Sequence, residues 1–358
     1  MRIAVDYESV SERPTGIGIF TKNLVETMRL DHPDLELLLY QPKHKNLNPL
    51  RRILWESSEV PARARHDKAD LIYSPGFACA VCCSIPRVVT AHDLIGKIFP
   101  DNQGPVSRFY WSLWLPNAIS RAERILAISE ATRADIRKYL HVSESRLYLA
   151  PHAGREDFEP VRDLGLVRQK IEKYGIRGPY LLSVGSLEPR KNHLRLLHAF
   201  NLIKNRYPEI SLVIAGKDAG SEKEVRSVIA VLGLTDRVHI LGYVAEEDLI
   251  YLYNGARAYV MISLYEGFGY PVLEAMRCGV ACIVSNVSSL PEVVANAALQ
   301  VSPYNIEEMA KVMEKIITQP ELAADLSKKG LERSKYFSMK KTAAFVAETF
   351  REMISKKL

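Results

Sequence analysis

The sequence has little cysteine, no long apolar run, no low-complexity tract and no short-period repeat. Its five cysteines are an odd number, with Cys79, Cys82 and Cys83 crowded together, which is no disulfide framework for a chain of 358 residues. A reducing, cytoplasmic setting is expected. Cys79 and Cys82 with Cys278 and Cys282 supply enough thiols for a zinc site, but both sets lie in apolar surroundings, so buried packing is the preferred reading and no metal is expected. No stretch approaches the ~20 apolar residues that span a bilayer. Met1-Arg2-Ile3-Ala4-Val5 enters a strand pattern directly, with no charged-then-apolar leader, so neither export by a visible signal nor membrane integration is expected.

What is present is ordinary for a folded chain. Apolar residues make up 47% and charged residues 25%, which excludes disorder, a collagen-like fibre and a disulfide miniprotein. The length favours two domains, each able to bury a core. A net charge of +6 is too small to argue for a nucleic-acid partner.

Short apolar strands are expected at 3–6, 35–40, 71–73, 87–90 and 124–128, separated by polar or glycine-bearing loops and helical stretches. A second series is expected at 180–184, 211–215, 238–241, 258–262 and 280–284, with a helix over 192–206 whose Leu196, Phe200 and Ile203 mark a buried face. This alternation predicts an α/β chain of two doubly wound parallel-sheet halves. The expected division is 1–160, a charged linker at 161–178, and 179–338. A last helix over 339–358 keeps Val346, Phe350 and Met353 on one side, so it must dock.

Three stretches carry chemistry. Glu266-Gly267-Phe268-Gly269-Tyr270-Pro271-Val272-Leu273-Glu274 follows a strand directly. Pro271 suits a first helical position, so this turn aims free amides and the positive end of a helix dipole at the carboxyl edge of a parallel sheet, where phosphates bind. Glu274 is then in reach of a ribose diol and Glu266 of hydroxyls beyond the phosphates. Either acid taken alone fits an acidic helix start, stabilised by the macrodipole, better than a functional role. Gly185-Ser186-Leu187-Glu188-Pro189-Arg190-Lys191-Asn192 leaves another strand. Two adjacent cations there, before a helix capped by Asn192, can neutralise a departing diphosphate, although an Arg-Lys pair is often plain surface. No Asp-x-Asp occurs to hold a metal-bound diphosphate, so protein cations are expected to do this work and no metal or other cofactor is invoked.

The third stretch, Thr15-Gly16-Ile17-Gly18-Ile19-Phe20, reads as a glycine loop ahead of a helix over 20–30; it lacks the third glycine of the dinucleotide fingerprint. It fits close approach of phosphate or sugar, or a tight turn, about equally. His92-Asp93 also follows a strand, and His92 is either a loop histidine or a sugar-contacting, proton-handling residue. Ser129 reads as an N-cap.

Together these residues resemble the retaining glycosyltransferase family 4, which has the GT-B fold of two Rossmann-like domains facing a central cleft. The likeness rests on 266–274, 185–192 and Ser289-Leu290-Pro291-Glu292-Val293, and it spans nearly the whole chain. It implies that Glu266 contacts the transferred sugar, Glu274 the ribose, and Arg190 and Lys191 the diphosphate, with Gly185, Gly267, Phe268 and Gly269 shaping the donor site. It places the nucleobase against Gly242, Tyr243 and Val244, and turns Gly16, Gly18 and His92 to the reacting sugar. It also carries the final helix back onto the N-terminal domain. Two departures stand out. Some members carry an Arg where this chain has Ser186, and many have Asn-Gly where Pro151-His152-Ala153-Gly154 stands, so no role is assigned to His152.

The expected function is transfer of a hexose to a hydroxyl of a glycan or lipid-linked saccharide, with retained configuration. The departing phosphate takes the acceptor's proton on the same face. Arg190, Lys191, Glu266 and His92 are the expected catalytic set. The likeness favours a mannosyltransferase using GDP-mannose, with a UDP-hexose second. Residues 43–68 hold seven Lys or Arg against three acids, which suits peripheral contact with an anionic membrane face or a solvated helix face. The rival readings are an NAD-dependent enzyme acting on sugar nucleotides and a non-catalytic sugar-nucleotide-binding subunit.

Overall fold

Runs such as Leu-Ile-Tyr-Ser and Tyr-Leu-Leu-Ser-Val, apolar on both faces, can only be strands covered by helices on each side. The computed structural model, which describes residues 1–10, 16–43, 47–76, 80–100 and 104–355, contains two such sheets. The chain divides into two compact units, Met1–Arg155 with Phe337–Leu358, and Glu156–Tyr336.

In unit 1 the strands are β1 (Arg2–Asp6), β2 (Glu36–Tyr40), β3 (Leu71–Ser74), β4 (Arg87–Ala91), β5 (Arg124–Ala127) and β6 (Leu147–Leu149). All pair in parallel, in the order β2-β1-β3-β4-β5-β6. Unit 2 contains β7 (Tyr180–Val184), β8 (Ser211–Ala215), β9 (Val238–Gly242), β10 (Ala258–Met261), β11 (Cys282–Ser285) and β12 (Ala298–Val301). These are also parallel, ordered β12-β11-β10-β7-β8-β9. The strand order reverses beside β1 in one sheet and beside β7 in the other. At such reversals adjacent loops leave in opposite directions and open a crevice at the carboxyl edge.

The helix Met339–Ser355 belongs to unit 1, where Met339, Ala343, Val346, Ala347 and Phe350 are buried in the same core as Phe20, Leu24 and Met28 of the helix Gly16–Asp31. Phe350 meets Tyr73 of β3 edge to face, with centroids 5.1 Å apart.

Four expectations need correction. Gly16 and Gly18 are not in a loop: they form the first turn of the helix Gly16–Asp31, and Gly18 is buried there. Thr15 lies outside the described residues, as do Cys79 and Lys45. The stretch expected as a linker at 161–178 contains the helix Leu164–Glu172, capped by the Asp163 side chain and burying Val167 and Ile171. It sits on the helix Glu246–Gly255 so closely that a Cβ on Gly255 would lie 3.1 Å from Ile171 and 3.3 Å from Val167.

The strand expected at 280–284 begins two residues later. Gly279 (φ +70°) and Val280 donate to Met276 O and Ala275 O, closing the preceding helix in a Schellman turn that consumes Val280 and Ala281. Finally, Asn192 adopts a left-handed conformation (φ +62°) and makes no side-chain cap. Its amide instead donates to Ile262 O (2.9 Å) and Pro303 O (2.8 Å).

Candidate donor site in unit 2

The strand-order reversal in unit 2 brings the exits of β7 and β10 together, and Glu188, Arg190, Lys191 and Glu266 of the two motifs lie there. The loop after β7 makes a 3-10 turn, Pro189–Lys191, before the helix His193–Ile203. Leu264 N donates to Arg190 O at 2.8 Å, and the Asn192 side-chain amide holds Ile262 O, so the two loops are laced by one main-chain and one side-chain hydrogen bond. Across this lacing runs a ladder of charges. Glu188 accepts from Ser186 Oγ (2.8 Å) and from Arg190 (2.7 Å); Arg190 also donates to Glu266 Oε2 (2.8 Å) and Tyr265 O (2.7 Å); Lys191 Nζ donates to Glu266 Oε1 (2.7 Å).

Glu266 is buried. Burial pushes its pKa up, but Lys191 and Arg190, helped by hydrogen bonds from Lys191 and Ser263, pull it down to about 2, so it is ionised. Two cations and two carboxylates therefore neutralise one another. An arriving anion with several oxygens can take over the donors of Arg190 and Lys191 at little cost, because they are already gathered and oriented. His193 follows directly; burial, then the neighbouring Lys191 charge, lowers its pKa to about 4, so it is neutral at pH 7.

Glycine is required where main chains cross. A Cβ on Gly216 would lie 1.9 Å from Gly185 O, and Gly185 N donates to Ala215 O (2.9 Å) while Gly216 N donates to Gly242 O (2.7 Å). The exits of β7, β8 and β9 are thereby stitched together, which brings Gly242 to the same edge as Gly185. Tyr243 is 63% exposed and Val244 is buried.

Gly269 opens the helix Tyr270–Arg277 at φ +105°, and a Cβ there would meet Leu290 at 2.7 Å. The expectation of free amides in its first turn needs narrowing: Pro271 has none, and Val272 and Leu273 both donate to Gly269 O (3.2 Å). Ser289 Oγ fixes the Glu266–Gly269 turn by donating to Glu266 O and Phe268 O, each at 2.9 Å. Glu274, five residues beyond Gly269 and buried, accepts from Tyr253 OH at 2.9 Å.

In unit 1, His92 leaves β4 fully enclosed and donates from Nε2 to Pro75 O at 2.7 Å. Burial drives its pKa down to about 4 against the opposing pull of that bond, so at neutral pH it offers neutral ring contacts and no positive charge. Its ring touches Phe20 (5.3 Å) and His152 (5.6 Å), and His152 lies 4.5 Å from Phe20. His152, to which the sequence assigns no role, lies just past β6, ahead of Gly154. Cys278 and Cys282 are buried in unit 2, and among the described residues no cluster of His, Cys, Asp or Glu is placed to hold a metal ion.

Residues 168–333 match the family described as glycosyl transferases group 1, and residues 27–153 match glycosyltransferase family 4. O-antigen chain mannosyltransferase B of Escherichia coli is 33% identical over 373 aligned residues, covering 94% of this chain and 96% of that protein. Serotype-specific mannosyltransferase WbdA of Escherichia coli is 32% identical over 241 residues, 65% of this chain; that match spans only 29% of WbdA. Sucrose-phosphate synthase from Thermosynechococcus elongatus superposes with a TM-score of 0.78 over 99% of both chains at 21% identity, a likeness of GT-B fold. With both halves matched and one relative aligned end to end, the chain belongs to the family 4, group 1 glycosyltransferases.

Proposed function

We propose that this protein transfers a hexose, mannose from GDP-mannose in the first instance, to a hydroxyl of a glycan or lipid-linked saccharide with retention of configuration. The single observation that carries this reading is the Glu188–Arg190–Glu266–Lys191 ladder at the strand reversal of unit 2. In it, Arg190 and Lys191 take the diphosphate, while Glu266, released from part of its ion pairing, accepts from the sugar hydroxyls. Glu274 reads the ribose, Gly242, Tyr243 and Val244 receive the base, and Gly185, Gly267, Phe268 and Gly269 keep main chain close to the phosphates. His92, with Gly16 and Gly18 nearby in the helix start, contributes neutral contacts to the reacting sugar. Stabilising the leaving diphosphate by fixed cations is the main acceleration, and its oxygen accepts the proton of the attacking hydroxyl. No metal and no cofactor is required in this reading. The mannosyl choice is supported by the two Escherichia coli relatives, both described as mannosyltransferases.

A lipid-linked acceptor at an anionic membrane face is supported by exposed apolar residues of unit 1. Leu50 and Leu54 on Pro49–Leu54, Phe109 on Pro105–Phe109 and Leu113 on the following turn all face solvent on elements that touch, with Arg51 and Arg108 exposed among them. The basic surface is thinner than residues 43–68 suggest, because Arg52 turns inward to Glu8. No helix among the described residues is long and apolar enough to cross a membrane.

The test is release of nucleoside diphosphate from GDP-, UDP- and ADP-sugars, with and without chelator, for the wild type and Glu266→Ala. The reading expects GDP-mannose turnover, insensitivity to chelator, and a loss of roughly 10²-fold or more in the folded variant. Full activity in Glu266→Ala, NAD binding in place of nucleotide sugars, or binding without any turnover would each reject it.

A further inference from the structure

The charge ladder of unit 2 holds the carboxylate of Glu266, while a different set of groups, all serines, holds the rest of that residue. Ser288 Oγ accepts from Glu266 N at 2.9 Å and donates to Val287 O at 2.7 Å. Ser289 Oγ donates to Glu266 O at 2.9 Å. Ser263 hydrogen-bonds the carboxylate itself, and its own carbonyl accepts from Ser285 Oγ at 2.6 Å. Ser288 and Ser289 lie on the loop that leaves β11, and this loop runs hard against the turn 266–269: a Cβ on Gly269 would come within 2.7 Å of Leu290. The N–H, the C=O and the carboxylate of one residue are thus fixed by separate partners.

One of these anchors is strained. Ser288 lies at φ +53°, where a Cβ carries a steric cost that glycine escapes. Among the described non-glycine residues with positive φ, Lys68, His141 and Ala295 come just after helices, and Asn192 is of a type that tolerates the region. Ser288 fits neither case. Strain of this kind persists where the surroundings demand it, and it gathers at functional sites. What serine offers here over glycine is the hydroxyl, and that hydroxyl is spent on Glu266 N–H. Glu266 carries its carboxylate on a side chain of several rotatable bonds, so a small drift of its main chain would displace the oxygens that have to meet a substrate, and small displacements of reacting groups cost rate steeply.

We propose that Ser288 is a positioning residue for transfer: its hydroxyl, presented by a strained left-handed backbone, fixes the main chain of Glu266 so that the carboxylate meets the transferred sugar. This rests on the glycosyl-transfer reading above and adds to it a residue outside the charge ladder.

The test uses the full chain with whichever nucleotide sugar proves active in the donor screen above. Ser288→Ala and Ser288→Gly both remove the hydroxyl, but only alanine keeps the strain, so Ser288→Gly should have the higher Tm of the two. The inference expects kcat to fall roughly tenfold in both, the worth of about one hydrogen bond. KM for the nucleotide sugar should stay within about twofold of wild type, because Arg190 and Lys191 are intact. A serine that merely stabilised its loop would instead give a kcat that follows Tm, with glycine close to wild type. Wild-type kcat in Ser288→Gly, or KM rising while kcat holds, overturns the inference. If Ser288→Ala does not fold, Ser288→Gly decides alone on kcat and KM. Failure of the wild type to turn over any nucleotide sugar would instead overturn the transferase reading, so the two failures are distinguishable.

Discussion

At the scale of single residues, opposite pKa shifts in two buried glutamates give the molecule opposing responses to pH. Glu266 titrates well below its ordinary value of 4.5, so its contribution to stability is complete above that value and fades as the pH falls toward about 2. Glu56 titrates well above, at about 8, so folding prefers it protonated and stability declines as the pH rises from 4.5 toward 8. The groups facing Glu56 are Tyr110, Asp6, Arg52 and Glu8, and none is a cation close enough to reverse this sign. Glu56→Gln should therefore flatten the dependence of Tm on pH over that interval, measured by calorimetry. A curve as steep as that of the wild type would contradict the assignment. Residue types and spacing disclosed Glu266, Arg190 and Lys191 because each lies at the exit of a legible strand. The ion pairs joining them span 75 and 76 positions, and nothing local in the sequence forecasts a contact at that range. For the same reason Glu188 and His152 were not read as partners.

Elements differ in how openly they declare themselves. Ten of the twelve strands were legible from apolar runs, because a parallel sheet covered on both faces leaves little polar alternation to confuse them, whereas β6 and β12, short and partly exposed, were not read. Helix starts were less so: Gly16 and Gly18 look like loop punctuation, yet helix continues through them. The π-helical turns Trp55–Glu59 and Tyr110–Trp114 were not read from the sequence, since each is a one-turn widening inside a longer helical stretch. Two outcomes belong here. Gly255→Ala would place a methyl 2.7 Å from Tyr180 Oη, whose hydroxyl donates to Leu252 O, and should cost roughly 1–3 kcal/mol of unit 2 stability in urea melts. Leu50→Ser with Leu54→Ser should lower binding to vesicles of mixed neutral and anionic lipid by roughly tenfold or more, with Tm unchanged. Equal flotation of variant and wild type would remove the membrane contact.

For the whole molecule, the useful regularity is that two independent parallel sheets reverse strand order beside their first strand, and each reversal collects the charged groups that the cores cannot hold. That placement follows from topology, so it was readable once strands and crossovers were assigned, whereas the side-chain partners were not. Phe350→Ala should cost roughly 3–5 kcal/mol in unit 1, by opening a cavity against Tyr73, and leave the unfolding of unit 2 in place. Two transitions in the melt, of which only one moves, are the expected result. The helix that supplies Phe350 is made after every strand of both units. Every strand of unit 1 precedes position 150, but its core waits for side chains from 339 onward, whereas all six strands of unit 2, β7 to β12, are complete before that. During synthesis unit 2 can thus close first, and unit 1 must persist with an exposed apolar seam until residues 339–355 have emerged.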